Sequence, residues 1–146
     1  MGHREIGPEM HHLHHLLVRR VNSLLSQGKY RDITPMQGHV IHFLLENQGK
    51  GDLFQRDLEK QFGIRRATAT GILQLMEREG LLRREPVDYD ARLKKLVLTP
   101  EAVELDGHIH RTIQTVERQA VEGIAPEDLK VFWRVFDQMK KNMEER

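Results

Sequence analysis

The stretch Phe54-Gln55-Arg56-Asp57-Leu58-Glu59-Lys60-Gln61-Phe62-Gly63-Ile64-Arg65-Arg66-Ala67-Thr68-Ala69-Thr70-Gly71-Ile72-Leu73-Gln74-Leu75-Met76-Glu77-Arg78-Glu79-Gly80 decides the fold. Leu58 and Phe62 share one face of a short helix over about 54–62, and Gly63 stops it. A second helix follows Ile64-Arg65-Arg66 and runs to about Glu79. Its apolar positions are Ala69, Ile72, Leu73 and Met76, and Gly80 ends it. Two helices joined by a few residues containing a glycine make a helix-turn-helix, whose second helix can enter a major groove. Two extended runs come next, Leu81–Glu85 and Leu93–Leu98, around a polar, turn-rich tip over 86–91. That order predicts a winged helix.

Working outward, helices flank this unit on both sides. Leu13, Leu17, Val21 and Leu24 recur at helical spacing over Pro8–Gln27. Thr34-Pro35 is an N-cap followed by a proline at the first helical position, and opens a helix that ends near Asn47. Thr99-Pro100 repeats that signature for a long helix to about Gly123. Pro126 starts the last helix, with Leu129, Phe132, Trp133, Phe136, Met139 and Met143 on one face. The expected fold is therefore mainly α with a small β-hairpin wing. It divides into an N-terminal dimerisation helix (1–33), a winged helix-turn-helix DNA-binding region (34–98) and C-terminal dimerisation helices (99–146).

The terminal helices carry more apolar surface than a winged helix of about 65 residues can cover. A second copy of the chain is the economical cover, so a homodimer is expected, with Leu13, Leu17, Leu129, Trp133 and Phe136 at its interface. Trp133→Ala is expected to cost about 3–5 kcal/mol in fold or dimer stability.

The 146 residues carry a formal net charge of +1. That figure sums a first third (1–51) with 6 basic and 4 acidic residues, a middle third (52–99) with 10 basic and 8 acidic, and a C-terminal third (100–146) with 7 basic and 10 acidic. A basic centre fits a polyanion partner, double-stranded DNA. Arg65, Arg66, Thr68, Thr70 and Gln74 on the second helix are placed for bases and phosphates. Gln55 and Arg56 are placed to fix the preceding helix against the backbone. On the wing, Arg92 is a candidate for the minor groove, followed by Lys94 and Lys95. Asp88 and Asp90 would brace it.

These residues resemble the MarR family (multiple antibiotic resistance regulators). The likeness runs from Phe54–Glu59 through Arg65–Thr70 and Leu75–Leu81 to Asp90–Thr99, and extends over nearly the whole chain. It includes the family's Asp-x-Arg wing element, here Asp90-Ala91-Arg92, and its Leu-Thr step, here Leu98-Thr99. The resemblance implies a homodimeric winged-helix regulator, more often a repressor, that binds a pseudo-palindrome and is released by a small-molecule effector. The crevice for that effector would draw on Leu17, Met36, Val40 and Ile109.

With no cysteine, the chain has no disulfide, thiol nucleophile or redox pair. No Gly-rich phosphate loop, GxSxG or HExxH is present, so an enzyme is not expected and no cofactor is assigned. Nine histidines stand out. His11 and His15 are i,i+4, His39 and His42 are i,i+3, and His42 with His108 invites a metal-responsive reading. They are read as solvated or interface groups, and no metal site is assigned. No apolar run exceeds three residues and no signal segment opens the chain, so no membrane span and a cytoplasmic location are expected. A winged helix used only for protein–protein contact is the alternative, separable by salt dependence.

Overall fold

The computed structural model describes residues 2–146. The element order is α1 (Ile6–Leu25), α2 (Pro35–Glu46), α3 (Gln55–Phe62), α4 (Arg66–Arg78), β1 (Leu82–Val87), β2 (Asp90–Leu98), α5 (Pro100–Ala120) and α6 (Pro126–Glu144). The residues fall into two compact units, 22–112 and 2–21 with 113–146.

The 22–112 unit is the winged helix. Thr34 caps α2 through a reciprocal box. The Gln37 N–H donates to Thr34 Oγ1 at 3.2 Å, and the Thr34 N–H donates to Gln37 Oε1 at 3.0 Å. The buried Gln37 amide also donates to Glu79 Oε2 at 3.0 Å, tying α2 to the end of α4. Asp57 holds the start of α3 by accepting from the Phe54 N–H at 2.8 Å. Gly63 closes α3 at φ +60°, a left-handed conformation that a side chain would strain. The core is built from Val40, Ile41, Leu44, Leu58, Leu73, Met76, Leu81, Leu82, Leu96, Ala102 and Leu105. It draws on residues beyond 34–98, because Ala102 and Leu105 of α5 complete it and Tyr30 and Ile33 pack against it.

The hairpin is longer and its turn tighter than the sequence reading expects. β1 and β2 pair antiparallel from Leu82↔Leu98 to Pro86↔Lys94, with an irregularity between Pro86 and Val87. Only Asp88 and Tyr89 form the turn. Pro86 lies in an edge strand, where its missing N–H costs no ladder bond. The expected tip over 86–91 is therefore mostly strand. The Tyr89 hydroxyl donates to Asp52 at 2.9 Å, and the Leu96 N–H donates to the Leu53 carbonyl at 2.8 Å. Both bonds hold the wing to the loop before α3.

The second unit combines residues of α1, the end of α5 and α6. Arg20 Nε donates to Gln119 Oε1 at 3.2 Å, and Val116 is buried. Phe132, Trp133 and Phe136 form a ring cluster with centroids 5.1–5.8 Å apart. Much of the apolar stripe stays open. Leu13 and Trp133 are each 50% exposed, and Leu16, Val131, Phe132 and Val135 are exposed as well. Leu17, Leu129 and Phe136 are half-buried. Trp133 is therefore no core residue of the protomer, and the full aromatic core penalty does not apply to it there. α1 begins at Ile6, two residues before Pro8, and α5 stops at Ala120 ahead of Gly123, whose φ is +77°. No helix of the described residues is long and apolar enough to cross a membrane.

Candidate nucleic-acid interface

α4 presents Arg65, Arg66, Ala67, Thr68, Gly71 and Gln74 to solvent, while Ala69, Leu73 and Met76 are buried beneath them. This split follows from the 3.6-residue period, which sets the two groups on opposite faces. Small residues at 67–71 leave the exposed face low enough to approach a groove.

Two expected contact residues are occupied inside the protein. Gln55 Nε2 donates to Thr70 Oγ1 at 2.9 Å and to the Arg66 carbonyl at 3.3 Å. The Thr70 hydroxyl donates to the Arg66 carbonyl at 2.9 Å. Gln55 and Thr70 thus lock the angle between α3 and α4. In this arrangement they position the second helix, and Gln55's amide donor is not free for a nucleic acid.

Between α3, α4 and the wing lies an open cleft of about 470 Å³, lined by Phe54, Gln55, Arg56, Glu59, Arg66, Thr70, Arg84, Arg92, Leu93 and Lys94. Five of these residues are cationic and one is acidic, so the cleft focuses positive potential although the whole chain is near neutral. The Arg56 guanidinium lies over the Phe54 ring at 5.0 Å.

The wing's charges are sorted by strand alternation, since neighbouring residues point to opposite faces. Arg92 and Lys94 share the cleft face. Lys95 lies on the other face, opposite Glu85 in the pairing register, and lines a separate small pocket with Asn47, Gly49 and Asp52. Lys94 and Lys95 therefore lie on different faces of the wing. Arg84 is the residue the sequence reading missed. It sits on β1 opposite Leu96, and its Nε lies 2.6 Å from Glu77 Oε1 of α4. That approach is off the N–H direction, so it is an ion pair only. The shielded Nε and Nη2 have no hydrogen bond among the described residues. Knowing which strand residue faces the helix was the signal needed, and that requires the register.

Arg92 is held ready at the wing. Its backbone N–H donates to Asp90 Oδ1 at 2.9 Å, and its Nε and Nη2 donate to Oδ1 and Oδ2, each at 3.2 Å. The Arg92 side chain is 89% exposed. These bonds, first from the side chain and then from the backbone, hold the Asp90 carboxyl below its ordinary range. The brace is complete above that range and is lost only as pH falls through the lowered value, so it is intact at neutral pH. Asp88 lies exposed in the turn and makes no hydrogen bond or ion pair among the described residues. Of the two aspartates, Asp90 is the one in contact with Arg92.

The other candidates separate. Met36 and Ile109 pack against the core, and Val40 within it has no accessible surface. Val40 therefore lines no opening of water size in this structure. Leu17 belongs to the other unit. His42 lies between Glu46 (Nε2 to Oε1, 2.9 Å) and Asp106 (Nδ1 to Oδ1, 3.5 Å), while the His108 ring packs on Tyr30 at 5.2 Å. Each histidine thus has its own partners. No group of three or more ligating side chains converges on a common point among the described residues.

Comparison with known proteins agrees with this geometry. Residues 31–93 match the sequence model described as MarR family. MepR of Staphylococcus aureus, a transcription regulator of the multidrug efflux pump MepA, is similar in fold. It has a TM-score of 0.85 at 22% identity, covering 96% of this chain and 99% of that one. A MepR mutant bound to an oligodeoxyribonucleotide gives 0.77 at 23% identity, covering 97% and 99%. The transcription regulator MarR from Oenococcus oeni gives 0.59 at 28% identity, covering 94% and 99%.

Proposed function

We propose, on the match of residues 31–93 to the MarR family model, that this chain is a repressor of that family binding a pseudo-palindromic DNA operator as a homodimer. MepR and the Oenococcus oeni MarR are each described as a transcription regulator. The observation that carries the reading is the convergence of Arg56, Arg66, Arg84, Arg92 and Lys94 on one cleft beside the exposed face of α4. α4 enters the major groove with Arg65, Arg66, Thr68 and Gln74. Arg92, preset by Asp90, reaches the neighbouring minor groove, and Lys94 pairs with phosphate.

The dimer is supported by the open apolar faces of α1 and α6, on which Leu13, Phe132 and Trp133 have too little cover within one chain. Two-fold pairing sets two α4 helices about one DNA turn apart, which is why the operator should be palindromic. Residues 1–33 and 99–146 serve pairing in this scheme and 34–98 serve DNA. A small-molecule effector acting at Met36 and Ile109 would shift the angle between α2 and α5. The structure of MepR bound to ethidium bromide supports an effector of this kind. The location is cytoplasmic, where the DNA is.

Salt dependence tests the electrostatic core of this reading. Two clefts per dimer supply on the order of 6–10 phosphate contacts, and such a protein loses about 10³–10⁵ in affinity between 50 and 200 mM salt. A titration of duplex DNA across that range should show this steep fall. An affinity flat in salt would remove the cleft from the account.

A further inference from the structure

Helix α1 carries a feature that DNA binding leaves unused: four histidines in five residues, His11, His12, His14 and His15. The helix is formed throughout this segment, and all four side chains are exposed. Residues four apart stand one above the other on a helix, with Cβ atoms about 5–6 Å apart. His11 and His15 are such a pair, and His14 and His12 flank it on the two sides. Leu13 and Leu17, spaced between them, turn to a different face.

These rings are uncommitted. His11, His14 and His15 make no hydrogen bond or ion pair with any described residue, and His12 feels only the nearby Glu9 carboxylate. That state contrasts with His42, held between Glu46 and Asp106, and His108, packed on Tyr30. Glu9 itself is taken by Arg4 at 3.0 Å, so it is not counted as a ligand. Arg19 and Arg20 are the cations nearest on the helix, and Arg20 is drawn off to Gln119.

We propose that His11 and His15 form a two-imidazole chelate for a divalent transition-metal ion of the imidazole-preferring class, with Zn²⁺ as its tetrahedral representative. A nitrogen of each ring would bind at about 2.0–2.1 Å, a reach that the i,i+4 spacing allows with both rings turned inward. Water fills the remaining positions, since no third protein ligand converges there among the described residues. Because the helix is already folded, binding orders only two side chains. The ion links consecutive turns and stabilises the amino-terminal end of α1. Ligation needs neutral imidazoles, so protons compete with the ion. The proposal stands independently of the DNA reading.

The test is calorimetric titration of the untagged full chain with ZnCl₂ at neutral pH. A His3→Gln background removes the one other histidine near the chain's start. Saturable binding of about one ion per chain is expected. It should be lost in His11→Gln/His15→Gln and retained in His39→Gln/His42→Gln. A second measurement needs no variant: Ni²⁺ should broaden backbone NMR signals around residues 11–15 first. Absence of saturable binding, its survival in His11→Gln/His15→Gln, its loss in His39→Gln/His42→Gln, or broadening centred elsewhere would each overturn the assignment.

Discussion

Arg92→Ala is expected to remove most of the operator affinity while leaving the protein folded. One arginine contact of this kind contributes about 1–3 kcal/mol, and a two-fold dimer carries two wings, so the loss is about 2–6 kcal/mol. The fold is spared because the Arg92 side chain is 89% exposed and its only partner among the described residues is Asp90, two residues away. Surface ion pairs of this sort stabilise little. Asp90→Ala keeps the guanidinium but frees it, so its loss should be smaller than that of Arg92→Ala. Fluorescence anisotropy on operator DNA measures both. Equal affinity of Arg92→Ala and the unaltered protein would show that the wing does not touch DNA.

Leu73→Ala should give a large loss of stability. Leu73 has no accessible surface and lies on the buried side of α4, in one cluster with Ile41, Leu58, Met76 and Leu82. Leucine truncations in such sites cost about 2–5 kcal/mol, the spread reflecting how far the cavity collapses. A urea-unfolding midpoint measures it. Trp133→Ala is the instructive contrast. Half of Trp133 is exposed in the protomer, so its truncation should move the protomer's stability much less. If α6 packs against a second copy, the same substitution removes an aromatic anchor worth about 2 kcal/mol or more of dimerisation. Sedimentation should then show dissociation at concentrations where the unaltered chain stays dimeric. An unchanged dimer mass in Trp133→Ala would take this tryptophan out of the interface.

The helices were readable because their ends are written in local chemistry. Thr34-Pro35 specifies a cap and a first turn by side-chain geometry alone, and the reciprocal bonds with Gln37 are its physical form. Gly63 and Gly80 mark positions that need positive φ. Strand limits were less readable, since Pro86 and Val87 look like turn residues and become strand only through cross-strand pairing. The site was legible as residue types and not as directions. Arg66 and Arg92 line one cleft, Lys95 lies on the other face by strand alternation, and Arg84 joins the cleft by a register no local pattern encodes. Gln55 looked like a contact residue because polarity alone does not reveal that its amide is spent on Thr70 and Arg66. Val40 is buried in the core, and an apolar residue reads alike in sequence whether it faces a core or a cavity.

The central claim is that two copies of this chain read a symmetric DNA site through α4 and the wing. Selection of bound duplexes from a random pool tests it most directly, since affinity, symmetry and spacing are read together. The account predicts enrichment of an inverted repeat with half-site centres about one helical turn, 10–10.5 base pairs, apart. An enriched motif without two-fold symmetry, or no enrichment at all, would contradict it.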